Sequence, residues 1–472
     1  MNTKSIVCLL LTALTGFAFS ESVDFSRVAG KVRHELHSSG FGPLICSCPP
    51  SAIADVKAMN FLNARTHDWA LINPGQRVCD YFHIFPLLHL DAKDPKNYVF
   101  APTDYLLKRT REETGLGIFF RLGTSIEHSG PTVHFNARIP EDFEKVAESF
   151  AGTVRHYNHG WANGFQWGIQ YWELWNEPDG HNNMWCDPDP NENGDDKRCQ
   201  KFTRFFVTAL KRLKSEFPEI KVGGPALCSM KADYFTELFR ACKEAGVTPD
   251  FISWHYYGNN PDAMVASADK ARALCDSFGF TQCELILNEW HYLGCSWKDL
   301  RDPSPAMKKR IWSGPAAHNG IDSACFTLAS LAKFQTSKLN QAYYYGCKHD
   351  GNWGYKGADA KKFKVWYALK LFGEIVKETP VLCVPSFSEK LVLFPTKSED
   401  YKTKRLLVVD YRSGQSEIRV DVANAGAVQS ALLLDHTHDA TPCEVKFENG
   451  QLLLQKPDTN SAAFSITFGE EK

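Results

Sequence analysis

Three short runs in this chain end an apolar segment in residues able to move protons. The first, Trp172-Glu173-Leu174-Trp175-Asn176-Glu177-Pro178-Asp179, delivers Asn176 and Glu177 at the end of an aromatic strand, where Pro178 blocks continuation. The second, Leu285-Ile286-Leu287-Asn288-Glu289-Trp290-His291, places Glu289 at the end of an apolar strand. The third, from Asp250 to Gly258, carries His255 and Tyr257 and lies between the other two in sequence. Two carboxyls converging on one sugar ring are what glycoside hydrolysis needs: one acid protonates the leaving oxygen, and one carboxylate attacks or activates water. A tyrosine hydroxyl beside an attacking carboxylate keeps it ionised and oriented. Each run also has a plainer reading, as a surface or ion-paired glutamate or a hydrogen-bonded core histidine. The meeting of all three is what points to chemistry.

For these groups to meet, the strands that carry them must lie side by side. Short apolar runs recur at Pro43–Cys48, Leu62–Asp68, Gly117–Gly123, Tyr171–Asn176, Lys221–Pro225, Phe251–Tyr256, Glu284–Glu289 and Ala342–Gly346, with helical patterns between them. The clearest helix begins near Cys199, with Phe202, Phe205, Phe206, Ala209, Leu210 and Leu213 on one face and Pro218 closing it. A second runs from Ala358 to Lys377. Eight strand–helix units predict an α/β fold, a (β/α)8 barrel of the TIM type with insertions over residues 40–378. A doubly wound open sheet would gather its polar residues at one switch point. Here they sit at many strand ends: Arg65, His67, Asp68, Asn176, Glu177, His255, Tyr257, Asn288 and Glu289. In residues 379–472 strands follow one another without helices, which predicts a C-terminal all-β sandwich. The alternating stretch Val23 to Val32, within an N-terminal segment 21–39, is expected to add a strand to it.

The chain has 472 residues, with 53 Lys+Arg against 55 Asp+Glu, so its charge argues against a nucleic-acid binder. With 43% hydrophobic and 13% aromatic residues it is not a disordered acidic chain. Residues 1–20 read as a signal peptide: Lys4, an apolar run from Ile6 to Ala18, then Ala18-Phe19-Ser20 before Glu21. That run is shorter than a membrane span, so no stable membrane insertion is expected and the mature protein is expected to be secreted or periplasmic. Among 15 cysteines, Cys186 with Cys199 and Cys275 with Cys283 could bridge in that compartment. No metal and no cofactor is expected. Asp189-x-Asn191-x-Asn193-Gly194 looks like half a calcium loop, but Gln200 stands where the bidentate Glu should be. Cys46-Ser47-Cys48 lacks the second pair that zinc would need. Trp353 and Tyr343–Tyr345 could stack on a sugar or pack in the core.

The sequence resembles glycoside hydrolase family 39 of clan A, the family of β-xylosidases and α-L-iduronidases, over about residues 55 to 355. The resemblance rests on Asn63-Ala64-Arg65-Thr66-His67-Asp68, Tyr98-Val99-Phe100 through Asp104, Phe119 to Gly123, Trp175-Asn176-Glu177-Pro178, Val222-Gly223-Gly224-Pro225-Ala226, Asp250 to Tyr257 and Asn288-Glu289. It implies that Glu177 is the general acid/base and Glu289 the nucleophile of a retaining, β-xylosidase-like enzyme acting on an oligosaccharide or polysaccharide. Asn176 would bond the sugar 2-hydroxyl, and Tyr257 and His255 would hold the nucleophile and adjacent hydroxyls. Arg65 and His67 would line the pocket floor, and Asp68, Trp290 and Arg121 complete the expected substrate-binding set. A raised pKa on Glu177 would come from Trp172, Trp175 and the opposing Glu289.

Two positions depart from the family pattern: Arg121 stands where an acidic or polar group is expected, and Asn288 replaces the usual Thr. Arg121 could meet the carboxylate of a uronic acid or serve a structural ion pair. Another clan-A activity, such as a uronidase, a β-glucosidase or an endo-glucanase, therefore stays open, as does a catalytically impaired carbohydrate-binding barrel.

Overall fold

The computed structural model describes residues 21–40, 50–69, 77–125, 138–180, 184–302, 304–346, 353–357 and 361–470. Its centre is a closed barrel of eight parallel strands: Ser38–Ser39 (β1), Asn63–Arg65 (β2), Gly117–Leu122 (β3), Tyr171–Leu174 (β4), Lys221–Leu227 (β5), Phe251–Gly258 (β6), Glu284–Tyr292 (β7) and Gln341–Tyr344 (β8). Strands two to eight fall where short apolar runs predict them. The expected first strand at Pro43–Cys48 lies outside the described residues, as do residues 1–20, Cys46 and Cys48. The barrel closes instead through Ser38–Ser39, which pair with β8 on one side and β2 on the other. Two serines carry no apolar signal, so the barrel begins just before the boundary expected at residue 40.

The inward faces of the strands form layers, as side chains alternate across each strand. Phe119, Phe251, Ile286 and Tyr343 fill the lower interior as one buried apolar cluster. Tyr343 is therefore core and not a sugar platform. The next layer is polar, built from Arg65, Glu173, Ser253 and Asn288. On β6 and β7 the pairing shifts register between Trp254/Leu287 and His255/Glu289, so one extra residue is accommodated in β7. This bulge lets the consecutive residues Asn288 and Glu289 both act inside the barrel. On β5, a Cβ on Gly223 would meet the Phe251 carbonyl oxygen at 2.1 Å, so only glycine fits there.

Eight helices cover the outside: Pro50–Met59, Ala101–Arg109, Phe143–His159, Asp195–Glu216, Ala232–Glu244, Pro261–Ser277, Ile321–Phe334 and Lys364–Glu378. Asp195–Glu216 buries the face predicted for it, including Phe202, Phe205, Phe206 and Leu213. Ile321–Phe334 is buried along its whole length, because the barrel lies on one side and the sandwich on the other. Its Thr327 and Ser330 hydroxyls satisfy themselves on the carbonyls of Ser323 and Phe326.

The C-terminal strands form two sheets around a second core that includes Leu406, Val408, Ile418, Val420, Leu452, Leu454, Phe464 and Ile466. In Glu417–Ala423, Ile418, Val420 and Val422 point inward and alternate with exposed residues. Both N-terminal strands join these sheets. Glu21–Asp24 lies parallel to Glu417–Ala423, and Val28–Lys31 lies antiparallel to Val381–Cys383. A turn of the sandwich reaches the barrel mouth. Tyr411 donates its hydroxyl to the Asn259 carbonyl, 2.8 Å away. Arg412 donates to Asp322 at 2.8 Å and to the Tyr292 hydroxyl. No helix among the described residues is long and apolar enough to cross a membrane.

Candidate active site

Glu177 leaves the end of β4 and Glu289 comes from β7, and both side chains are buried at the barrel mouth. His255, from β6, stands between them. Its Nδ1 lies 2.8 Å from Glu177 Oε1 and 3.3 Å from Glu289 Oε2. One oxygen of each glutamate and one nitrogen of His255 all fall within 4.8 Å of one another. Burial holds His255 below the usual histidine range, while Glu289 pulls it back up. A neutral imidazole can donate to Glu177 or accept its proton through the same nitrogen.

The two carboxyls have different company. Glu289 accepts from Arg65 Nη1 at 2.7 Å and from the Tyr257 hydroxyl at 2.7 Å. Burial pushes Glu289 above its ordinary value, and His255, Arg65 and Tyr257 oppose that push. Among the described residues Glu177 has no such direct Arg or Lys partner. Burial, reinforced by Asp179, raises it to about 7 against a contrary hydrogen bond from Cys228. The expected apolar setting for Glu177 is not made by its neighbouring tryptophans. Trp172 stacks on Phe120, and Trp175 packs against Trp185 and Phe205, on the helical side of the strand. Trp175 and Glu177 both hold positive φ, at 76° and 46°, a strained turn of the kind found at functional sites.

Arg65 is the hub beneath the nucleophile. Fully buried, it donates from Nε to Glu173 at 2.6 Å, from Nη1 to Glu289, and from Nη2 to Asn176 Oδ1 at 2.8 Å. Glu173 also accepts from Ser253 at 2.7 Å and from Asn288 at 2.8 Å. Asn288 thus supports the layer under Glu289. Glu173 went unnoticed in the sequence, although a charged residue of the same strand parity as Tyr171 had to find a buried partner. The Asn176 amide nitrogen has no protein acceptor among the described residues, so it is free to donate to a ligand.

His67 and Asp68 follow β2 at the same mouth. His67 Nε2 lies 3.4 Å from Glu289 Oε1 and 3.6 Å from Asp68 Oδ2. Burial, aided by Arg65 and Arg121, keeps His67 neutral. Tyr345 donates its hydroxyl to Asp68 at 3.1 Å. Tyr257 meets Tyr345, Trp297 and Trp353 edge to face beside them, Trp297 stacks on Trp353, and Trp297 is the exposed member.

Two expected substrate contacts are corrected. Trp290 is fully buried against Phe334 and Tyr344 on the helical side of β7. It follows an inward Glu289, so strand alternation turns it outward. Arg121 is fully buried and ion-paired with Asp80, which also accepts from the Ser125 amide and hydroxyl. Its charge is therefore answered inside the protein. The proposed bridges are also absent: neither the Cys186–Cys199 pair nor the Cys275–Cys283 pair forms a disulfide. In the Asp187–Asp196 loop, Asp187 pairs with Lys201 at 2.7 Å and Asp189 caps the Asn191 amide at 2.9 Å. Those carboxylates already serve the loop itself.

The glutamates and His255 could in principle ligate a cation. The Arg65 guanidinium already supplies positive charge to Glu289, so the donor set fits proton transfer better than metal binding.

A parallel barrel with two carboxyls facing each other from its fourth and seventh strands defines a hydrolase-type site at a barrel mouth. Residues 79–278 match the model of the glycosyl hydrolases family 39, a span that includes Glu177, His255 and Tyr257. A beta-xylosidase of Geobacillus stearothermophilus is 28% identical over 124 residues, which cover 26% of this chain and 22% of that relative. The match thus spans about a fifth of the curated relative's length. Among solved structures, a glucosidase from Croceicoccus marinus aligns over 95% of this chain and 99% of its own, with TM-score 0.71 and 19% identity. The family-39 enzyme of Xanthomonas axonopodis pv. citri aligns over 95% and 97% with TM-score 0.66 and 15% identity. A monomeric beta-xylosidase of Caulobacter crescentus CB15 does so over 95% and 99% with TM-score 0.64 and 14% identity. These likenesses carry the barrel-plus-sandwich fold.

Proposed function

We propose that this chain is an exported retaining glycoside hydrolase, β-xylosidase-like, working by double displacement with Glu289 as nucleophile and Glu177 as acid/base. The observation that carries this reading is the spacing of the two carboxyls, with oxygens within 4.8 Å of one another. Retaining enzymes hold their carboxyls about 5–5.5 Å apart, and inverting ones about 6.5–9.5 Å to admit a water. Glu289 attacks the anomeric carbon while Glu177 gives its proton to the leaving oxygen. A glycosyl–Glu289 ester and a free alcohol result. Glu177, now a carboxylate, takes a proton from water, which attacks the anomeric carbon and frees Glu289. Arg65 and Tyr257 hold Glu289 as the carboxylate that attacks. Asn176 is aimed to bond the 2-hydroxyl. The signal-like residues 1–20 support export.

The test is a panel of aryl glycosides of xylose, glucose, galactose, arabinose and uronic acids, run with wild type, Glu177→Ala and Glu289→Ala. Each variant should lose at least ~100-fold on the best substrate. Azide should restore turnover in both, giving glycosyl azides of opposite anomeric configuration. Azide products of the same configuration, or a smaller loss in both variants, would overturn these roles.

A further inference from the structure

The hydrolytic reading expects Asp68 among the substrate-binding residues but gives this buried carboxylate no particular role. Asp68 follows β2 with φ at 56°, a left-handed backbone that aspartate adopts at a cost. Its amide donates to Ser125 at 3.2 Å and its carbonyl accepts from Arg77 at 3.3 Å, so both sides of the turn are pinned. The side chain is only 4% exposed. Oδ2 accepts from Tyr345, whereas Oδ1 is buried with no hydrogen-bond partner among the described residues. Both ring nitrogens of His67, Nε2 of His255 and Nδ2 of Asn176 share that condition. Buried polar atoms in this state are costly unless something else bonds them. Of these atoms, His67 Nε2 lies between Glu289 and Asp68.

The charges nearby are also informative. Arg65 is committed to Glu173, Glu289 and Asn176, and Arg121 to Asp80. Arg77 Nε stands 3.9 Å from Asp68 Oδ1 itself. Each of these guanidiniums already faces a protein carboxylate, and Asp68 Oδ1, although it lies near Arg77, still lacks a hydrogen bond among the described residues. A ligand held here must donate hydroxyls and carry no negative charge of its own on that side.

We propose that Asp68 is a specificity-determining residue that accepts a hydroxyl from the far side of a neutral glycone held against Glu289, and that its charge excludes uronic acids. This inference rests on the hydrolytic reading for its orientation of the sugar. A carboxylate that accepts a hydroxyl discriminates against an analogue lacking it. Its negative charge repels a second carboxylate in a site with little water.

The test compares wild type, Asp68→Asn and Asp68→Ala on the best neutral aryl glycoside, on its 3-deoxy and 4-deoxy analogues, and on the matching uronide. In the wild type one deoxy analogue should lose about 10- to 100-fold in kcat/KM, as expected for a hydrogen bond to a charged group. In Asp68→Ala the parent substrate should fall by a similar factor and the deoxy penalty should shrink to near one. Asp68→Asn, which keeps the shape, should raise uronide turnover relative to the neutral substrate. A full deoxy penalty retained in Asp68→Ala, or a wild type that prefers the uronide, would overturn the proposal. Should no aryl glycoside be cleaved at all, the hydrolytic reading fails. Asp68 is then judged by calorimetric titration of xylose, glucose and glucuronate. Tighter binding of the neutral sugars, narrowed in Asp68→Asn, supports the proposal, and equal or reversed binding overturns it.

Discussion

The raised pKa of Glu177 makes the acid/base a liability to the fold, and the size of that liability can be measured. The carboxyl moves from an ordinary 4.5 to about 7 in the native state, with burial as the leading cause. Between those values the native protein holds a proton that the unfolded chain has lost. Stability therefore falls as pH rises across that window, by about 1.4 kcal/mol per unit. Below the ordinary carboxylate range the contribution is fully present, and above about 7 it is gone. The shift is worth about 3 kcal/mol in all. Glu177→Gln keeps the shape, leaves an amide beside His255 and cannot ionise. Relative to wild type, the variant should gain about 3 kcal/mol between pH 4 and pH 8, with nearly all of the gain arriving between pH 4.5 and 7.5. Denaturant unfolding of both proteins at half-unit intervals of pH is the assay. Glu289, also raised by burial, contributes to both curves and largely cancels. A stability difference that stays flat from pH 4 to 8 would refute the argument that burial keeps Glu177 protonated. The same group should set the alkaline limb of kcat/KM near pH 7 in the wild type.

Two further substitutions probe the layer below and beside the carboxyls. Asp80→Ala leaves the buried Arg121 guanidinium without its carboxylate. It should cost about 3–5 kcal/mol, read by thermal or denaturant unfolding, with the ranking of neutral and uronic substrates unchanged. Glu173→Gln removes the charge that holds Arg65 Nε and should lower kcat/KM by at least ~10-fold, chiefly in kcat, because Glu289 loses its fixed donor. An unchanged kcat would mean that Tyr257 and His255 position the nucleophile by themselves.

Much of this architecture could be read from strand ends, because most barrel strands are apolar runs that stop at a polar residue. What escaped has physical causes. Ser38–Ser39 is a strand only because its neighbours supply the ladder, and its own side chains say nothing. The inward turn of both Asn288 and Glu289 depends on a bulge, and no periodicity rule places a bulge. Trp290 looked like a pocket residue for the same reason: its side is fixed by the register that the bulge sets. Arg121 meets a partner from a loop 41 residues earlier in the chain, and no spacing pattern links them. Glu173 was within reach, since its alternation with Trp172 and Leu174 already directs it inward, where a lone charge cannot stay unmatched. The glutamates themselves were legible because chemistry at a barrel mouth needs a specific residue at a strand end.

The strands Glu21–Asp24 and Val28–Lys31 complete sheets whose other members begin at Val381 and run to Gly469. The sandwich therefore cannot close until synthesis has passed Gly469, and its first two strands leave the ribosome with no partners to pair with. Closing a loop of that length in a flexible chain is entropically unfavourable, though the penalty grows only slowly with length. The barrel changes the problem, because once folded it holds residues 31 and 381 close together. Synthesis order thus makes the barrel a scaffold for its own companion, and an error in barrel folding would leave the strands Glu21–Asp24 and Val28–Lys31 unpaired and exposed.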